Sequence, residues 1–490
     1  MLAFFIGISA NVDVLLISQM IPMILVGILG GLASEIIVTV SGHSKEINTR
    51  FVILYLFVLQ LIALIVVLPY FLSVPLFADL LDVEAESIDN FKKLSLVFIL
   101  NIFPAIFVSV MQPLIFLKEA YKKFIYFTLC SELSGLMVIF FAIPRWGIMA
   151  FAFGAVAVSL INAFSFLAII KVKISDIFDW QAWREESENL KNLLKRQFLL
   201  TGNGLLGFVS TFIERSFSVK YLNGGYLSSL NYAKTLFLLP NSILLSSIIT
   251  TTFMEQVKKF SEGLDVLSAY TKRMFNIILA SSIVFQLILL IFAPIILILF
   301  FRRGQFKNSD VESTLIIFEL LSLGFIPVVI NDFFIRTLYI FSNFKILLIV
   351  SAINIISQAV LIYFLRDRIH EIVPITIIIA YYTTMFILFS RINKRLSEKI
   401  SFKKFLQKLL PVLTVCGLIV VLNKFMLQYY LDKTNGELFL ISLPLASVLI
   451  LIVILVMKKI GLMAIFAEKI PILTKILPKY FYQNVQNTSI

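Results

Sequence analysis

Residues 51–77 read FVILYLFVLQLIALIVVLPYFLSVPLF, with no Asp, Glu, Lys or Arg among them. An α-helix needs ~20 mostly apolar residues to cross the hydrocarbon core of a bilayer, and it satisfies its backbone hydrogen bonds internally where no water can. Stretches of this kind follow one another from Met1 to about Met457, separated by short polar connectors. They give about fourteen spans, at 1–9, 13–40, 51–77, 94–117, 121–143, 147–170, 197–219, 225–254, 274–301, 311–341, 344–365, 372–391, 409–427 and 437–457. The fold class is therefore all-α, a polytopic membrane protein.

Composition agrees. The chain has 490 residues, 60% hydrophobic and 14% charged, with mean hydropathy +0.98, whereas soluble domains are about 25% charged. Most soluble enzyme classes are excluded. The N-terminus has neither a basic region nor a cleavage site of the kind that marks a signal peptide. Because the first span is too short to cross alone, it is either a re-entrant piece or the remnant of a helix that starts upstream of Met1; the second reading is preferred.

The net charge of +13 lies in alternate loops. One set holds Lys118, Lys122 and Lys123; Lys191 and Lys195; Lys258, Lys259, Lys272 and Arg273; and Arg391 through Lys408. It carries more than twice as many Lys and Arg as the other set, which includes the acidic loop Asp79, Asp82, Glu84, Glu86 and Asp89. This positive-inside bias places both termini in the cytoplasm and points away from nucleic-acid binding. Cys130 and Cys416 sit inside spans and imply no disulfide framework. His43 and His370 lie in loops on opposite faces, so the sequence offers no metal cluster and implies no cofactor.

The connector 172–196 carries Trp180, Trp183, Leu190 and Leu194 among charged residues, the pattern of an amphipathic helix on the membrane surface. It divides the chain into an N-terminal lobe (1–171), a linker (172–196), a C-terminal lobe (197–400), two additional helices (401–460) and a tail (461–490). The lobes repeat weakly. Asp13 precedes Pro22 by the same interval as Asn231 precedes Pro240, and Pro104, Phe116 and Lys122 are spaced like Pro327, Tyr339 and Lys345. Two parallel six-helix lobes around a central cavity form a transporter plan. Pro22, Pro104, Pro240 and Pro327 are candidate kinks. Gly27, Gly30 and Gly31 suit close helix packing.

Ionisable groups at span depth cost several kcal/mol unless paired or wet, and mark candidate sites. Here they are Asp13, Glu35, Glu132, Glu214, Arg215, Lys234, Glu319, Asp332 and Arg336. Asp332 and Arg336, four residues apart on one helix, are placed to pair. Lys234 is also placed to snorkel to the interface.

Several segments, in order along most of the chain, resemble the MurJ/MviN family, the lipid II flippases of the multidrug/oligosaccharidyl-lipid/polysaccharide exporter superfamily. They are Gly7 to Pro22, GISANVDVLLISQMIP; Glu214–Arg215; Leu230–Asn231–Tyr232–Ala233 with Pro240; Arg303–Gly304–Gln305–Phe306; and Arg336 with Tyr339. The resemblance implies fourteen helices and alternating access for an undecaprenyl-diphosphate-linked sugar, its tail held partly by spans thirteen and fourteen. It also implies coupling to a monovalent cation or the membrane potential, in the cytoplasmic membrane of a bacterium. Substrate-binding candidates are Asp13, Arg215, Lys234 and Arg336; ion-coupling candidates are Glu214, Glu319 and Asp332. The sequence departs from the family at Val26 and Gly27, and at Thr235, where the family carries arginines.

A flippase for another polyprenyl-linked surface glycan is the nearest alternative. A cation-coupled drug antiporter of the same superfamily would need a carboxylate-dominated cavity and no spans thirteen and fourteen. A membrane glycan polymerase or ligase needs catalytic groups on sizeable outer loops, and the longest, 78–93, is short, acidic and without His. The orientation is open to direct test. In a Cys130→Ser/Cys416→Ser background, an Asp89→Cys thiol is expected to react with a membrane-impermeant maleimide on intact cells, and a Lys258→Cys thiol only after permeabilisation. The reverse pattern would invert the topology.

Overall fold

The computed structural model describes residues 5–31, 49–81, 87–117, 120–170, 180–222, 224–341, 344–365 and 371–434, together with 436–438, 440, 441, 444 and 447. Every regular element among them is helical. In order they are α1 (Ala10–Ser18), α2 (Met20–Val26), a π-helical turn (Gly27–Gly31), α3 (Thr49–Leu80), α4 (Ile88–Leu117), α5 (Tyr121–Trp146), α6 (Met149–Ile170), α7 (Trp180–Tyr221) and α8 (Tyr226–Pro240). A second π-helical segment (Asn241–Leu245) follows, then α9 (Ser246–Glu262), α10 (Leu264–Ile291), α11 (Ala293–Phe301), α12 (Asn308–Leu323), α13 (Phe325–Ile340), α14 (Phe344–Leu365), α15 (Ile372–Asn393) and α16 (Phe402–Leu431).

Nine described helices or helix runs are long and apolar enough to span, and α12 with α13 makes a tenth as a pair bent by 47°. The second to thirteenth expected spans fall wholly or partly on described helices. Of the first, residues 5–9 are described; the fourteenth lies largely outside the described residues, as do Glu35, His43, His370 and the tail from 461. The helices at the seventh and eighth expected spans, α7 and α8–α9, are more polar and are not among the nine. The outer surface is apolar: Ile65, Leu72, Phe141, Phe364 and Phe425 are all exposed. In water this would be a severe aggregation liability; against lipid it is the ordinary surface of a membrane protein. The chain is a multi-pass membrane protein.

Its residues fall into two compact units, 1–228 with 351–355, and 229–350 with 356–490. In the first, α4 is the centre, and α1, α2, the π turn, α3 and α6 all pack on it. Ile99, Ile102, Ile106 and Val110 recur at helical spacing and are buried. Glycines set the closest approaches. A Cβ on Gly27 would lie 2.6 Å from the Phe208 ring, and one on Gly30 would lie 2.9 Å from the Ser109 β-carbon. Gly135 on α5 and Gly154 on α6 face each other, each added Cβ falling within 3.2 Å of the other's carbonyl oxygen. Small residues of this kind allow backbones to meet where no hydrophobic force drives helices together. The segment expected as a separate surface helix is instead the start of α7, which runs unbroken from Trp180 to Tyr221. Its apolar side, Leu190 and Leu193, is buried, and Trp183 stands edge-on to Phe57 at 6.0 Å.

In the second unit α13 is the core helix. Phe325, Ile326, Val329, Ile330, Phe333, Phe334 and Leu338 are buried, and Phe275 stacks on Phe334 with centroids 5.6 Å apart. The helix begins at a break at Gly324. Pro327 has no N–H for the carbonyl of Leu323, and the Tyr382 hydroxyl donates to that oxygen at 2.9 Å. The Gln286 amide oxygen accepts the Ile326 N–H at 3.1 Å. The turn Arg303–Gly304–Gln305–Phe306 ends α11. Gly304 sits at φ +66°, and Phe306 is buried against Phe301 and Tyr232. Arg302 donates to the carbonyls of Leu431 and Lys433, capping the end of α16.

The start of α8 is closed differently. The first N–H groups of a helix have no partner inside it. The buried Asp13 carboxylate accepts from Gly225 N and Ser228 N at 2.8 Å each, and from the Ser228 hydroxyl. Gly225 takes φ +92°, and a Cβ there would lie 2.5 Å from the Ile8 side chain. Three donors at the positive end of a helix hold this carboxylate. Asp13→Ala leaves them without an acceptor and is expected to cost about 1–3 kcal/mol, seen as a lower unfolding temperature in detergent, with Asp13→Asn intermediate. An Asp13→Ala protein that melts with the parent would show that the cap is not structural.

Candidate functional site

Each candidate residue can be placed within its own unit. In the first unit, α7 carries Glu214 and Arg215. Adjacent residues on a helix diverge by about 100°, and the two side chains differ accordingly: Glu214 is buried and Arg215 half-buried. The Arg215 guanidinium donates to the carbonyl of Leu16, just before the interruption at Gln19 that separates α1 from α2. Among the described residues its hydrogen-bond partner is thus a neutral backbone oxygen. An arginine has five donors, so most of this fork stays available to an anion. Asp13, from the same N-terminal motif, is occupied in capping α8.

Pro22 lies in α2, between that interruption and the π turn. Gln197 on α7 donates to the carbonyls of Ile28 and Leu29 in the π turn, and the Tyr55 hydroxyl donates to Gln197. Pro104 lies inside α4, which continues without a break to Leu117. Beside it, Gln60 donates to the carbonyl of Phe103 at 2.9 Å.

In the second unit, Asp332 and Arg336 form the expected pair, 3.0 Å apart and 28% and 29% exposed. Lys234 is half-buried on α8, and Pro240 ends that helix where the second π segment begins. Pro327 follows the break at Gly324. Glu319 on α12 is 5% exposed. Its carboxylate accepts from the Asn423 amide at 2.7 Å, and the same amide donates to the Leu290 carbonyl at 2.8 Å. Asn423 stands on α16, the expected thirteenth span, and so ties that helix to the body of the unit.

Reading for ionisable groups alone passes over the uncharged polar residues that matter here. Gln286, Asn423, Gln197 and Gln256 are all buried in helices. Gln256 donates to the hydroxyls of Thr271 and Thr337 at 3.1 Å each. For Gln286 the signal is an amide isolated in an apolar run, whereas Gln197 and Gln256 sit among charged residues. Among the described residues no three His, Cys, Asp or Glu side chains gather where a metal ion would fit. The chemistry these groups offer is the binding of an anion by half-buried cations, Arg215 with Glu214 as an electrostatic neighbour and Arg336 paired with Asp332.

Comparison with known proteins bears on the family and the fold. A family model described as "Lipid II flippase MurJ" matches residues 2–443. Among solved structures, the chain is similar to a lipid II flippase MurJ in an inward closed conformation, with TM-score 0.67 and 19% identity over 96% of this chain and 95% of that one. It is also similar to an inward-facing multidrug resistance transporter of the MATE family, in the MOP superfamily, with TM-score 0.62 and 12% identity over 79% and 90%. At these identities the two structures speak for the fold. No curated protein matches the chain. With the family match running from residue 2 through α16, the chain belongs to the MurJ family of lipid II flippases, transporters rather than enzymes.

Proposed function

We propose that this protein carries an undecaprenyl-diphosphate-linked glycan, in the first place lipid II, across the cytoplasmic membrane of a bacterium by alternating access. Family membership and a fold shared with two transporters support the class. The observation that carries the reading is Arg215. It is a half-buried guanidinium on a polar helix, hydrogen-bonded to a backbone carbonyl, with Glu214 as its electrostatic neighbour. A diphosphate is the natural anion for a planar fork of this kind. Arg336 contributes less, because Asp332 already neutralises it. Lys234 supplies a point charge. The coupling cation or proton is assigned to the buried carboxylates Glu214 and Glu319, with the membrane potential as the other driving force.

A second reading, another polyprenyl-linked surface glycan, is favoured by Gly27. The family's arginine at this place would have to enter space already filled by the Phe208 ring. The substrate is therefore met by fewer arginines than the family pattern provides.

Complementation separates the readings. In a cell depleted of its own lipid II flippase, the protein is expected to restore growth. Arg215→Ala is expected to lose the rescue, Arg215→Lys to keep part, and Arg336→Ala to be milder. A charged hydrogen bond is worth roughly 1.5–3 kcal/mol, about ten- to a hundredfold in affinity. Full growth of Arg215→Ala at normal protein level would sink the assignment of that cation. Absence of rescue by the inserted parent protein would favour the second glycan.

A further inference from the structure

Lys122 and Lys123 stand exposed in the first turn of α5. With Tyr126, Phe127, Ala168 and Ile169 they line a recess of about 410 Å³ between the start of α5 and the end of α6. All six belong to one compact unit, and the close crossing at Gly135 and Gly154 fixes the two helices that wall it. The lining contains no Asp or Glu, and neither lysine makes an ion pair among the described residues. Two ammonium groups therefore sit at the positive end of a helix dipole, an arrangement that an anion relieves.

The surface leading away from the recess is apolar. Ile125, Leu129, Leu133 and Met137 follow at four-residue spacing, each 57–62% exposed. Only 11% of the most apolar window of this helix is buried inside the protein. The exposed Tyr126 ring lies between cations and track, as aromatic residues do at a membrane–water boundary. A free anion would need only the two lysines; the track that starts beneath them is what an acyl chain needs.

We propose that this recess binds an anionic phospholipid of the cytoplasmic leaflet, with its phosphodiester on Lys122 and Lys123 and its acyl chains along α5. The leaflet follows from the positive-inside orientation. Arg215 is not among the residues that line the recess, and occupancy of the recess does not depend on which glycan is carried.

The test uses the full chain in detergent with equal phosphatidylglycerol and phosphatidylcholine, and retained lipid is counted by native mass spectrometry. The parent protein is expected to keep the anionic lipid roughly thirtyfold over the zwitterionic one, the scale set by two lysines near an anionic surface. Lys122→Gln/Lys123→Gln is expected to abolish the preference. Lys403→Gln/Lys404→Gln removes the same charge from exposed positions at the start of α16 and is expected to leave it intact. Millimolar inorganic phosphate is expected not to displace the lipid. An unchanged preference in the first variant, or an equal loss in the second, would overturn the proposal. Displacement by inorganic phosphate would make the recess a free-anion site, and displacement by undecaprenyl diphosphate would assign it to the transported lipid; either result would also overturn it.

Discussion

A backbone carbonyl or N–H without a partner in hydrocarbon costs several kcal/mol, and this constraint organises the helices of both units. Unbroken helices meet it unaided. The interruptions do not, and at each of two principal ones a glutamine and a tyrosine from neighbouring helices supply the missing bonds. Gln197, oriented by Tyr55, serves the π turn at Gly27–Gly31. Gln286 and Tyr382 serve the break at Gly324. Asp13 does the same for the start of α8. Gln197, Gln286, Tyr382 and Asp13, polar residues in an apolar sequence, satisfy the backbone at breaks and at a helix start. A transporter needs such breaks, because they let a helix change direction at membrane depth without stranding its backbone.

That division of labour also separates what was legible in the sequence from what was not. The spans could be read because a continuous apolar run such as 51–77 has one physical solution in lipid, and α3 covers it entirely. The pairing of Asp332 with Arg336 followed from helical spacing alone. Asp13 illustrates the limit. Its depth marked it as a site residue, yet its donors come from Gly225 and Ser228, more than two hundred positions along the chain. No local pattern announces such a contact. The same holds for Glu319, whose partner Asn423 lies on another helix. The amphipathic stretch from Trp180 was recognised, but nothing in its composition shows that it runs unbroken into the next span.

The consequence for function is a sharper choice among cations. Reading by charge gives Arg215, Lys234 and Arg336 as candidates, with Asp332 placed to pair with Arg336 and Lys234 placed to snorkel. Geometry ranks them, since Arg336 is held by a carboxylate and Arg215 by a carbonyl. A neutral hydrogen-bond partner orients a guanidinium without cancelling its charge, which under the proposed function suits a group that attracts a diphosphate and then releases it. At Gly27 a Cβ would meet the Phe208 ring. Under the proposed function, Arg215 is the foremost cation for a diphosphate-linked lipid.

The most direct measurement is translocation itself. Purified protein would be reconstituted into vesicles carrying lipid II with a fluorophore on its head group, and the fraction protected from a membrane-impermeant quencher followed in time. The account predicts exchange between leaflets that requires the protein and is lost in Arg215→Ala. Protein-dependent exchange that is undiminished in Arg215→Ala would contradict it, as would the absence of exchange for lipid II and for any other polyprenyl-diphosphate-linked glycan.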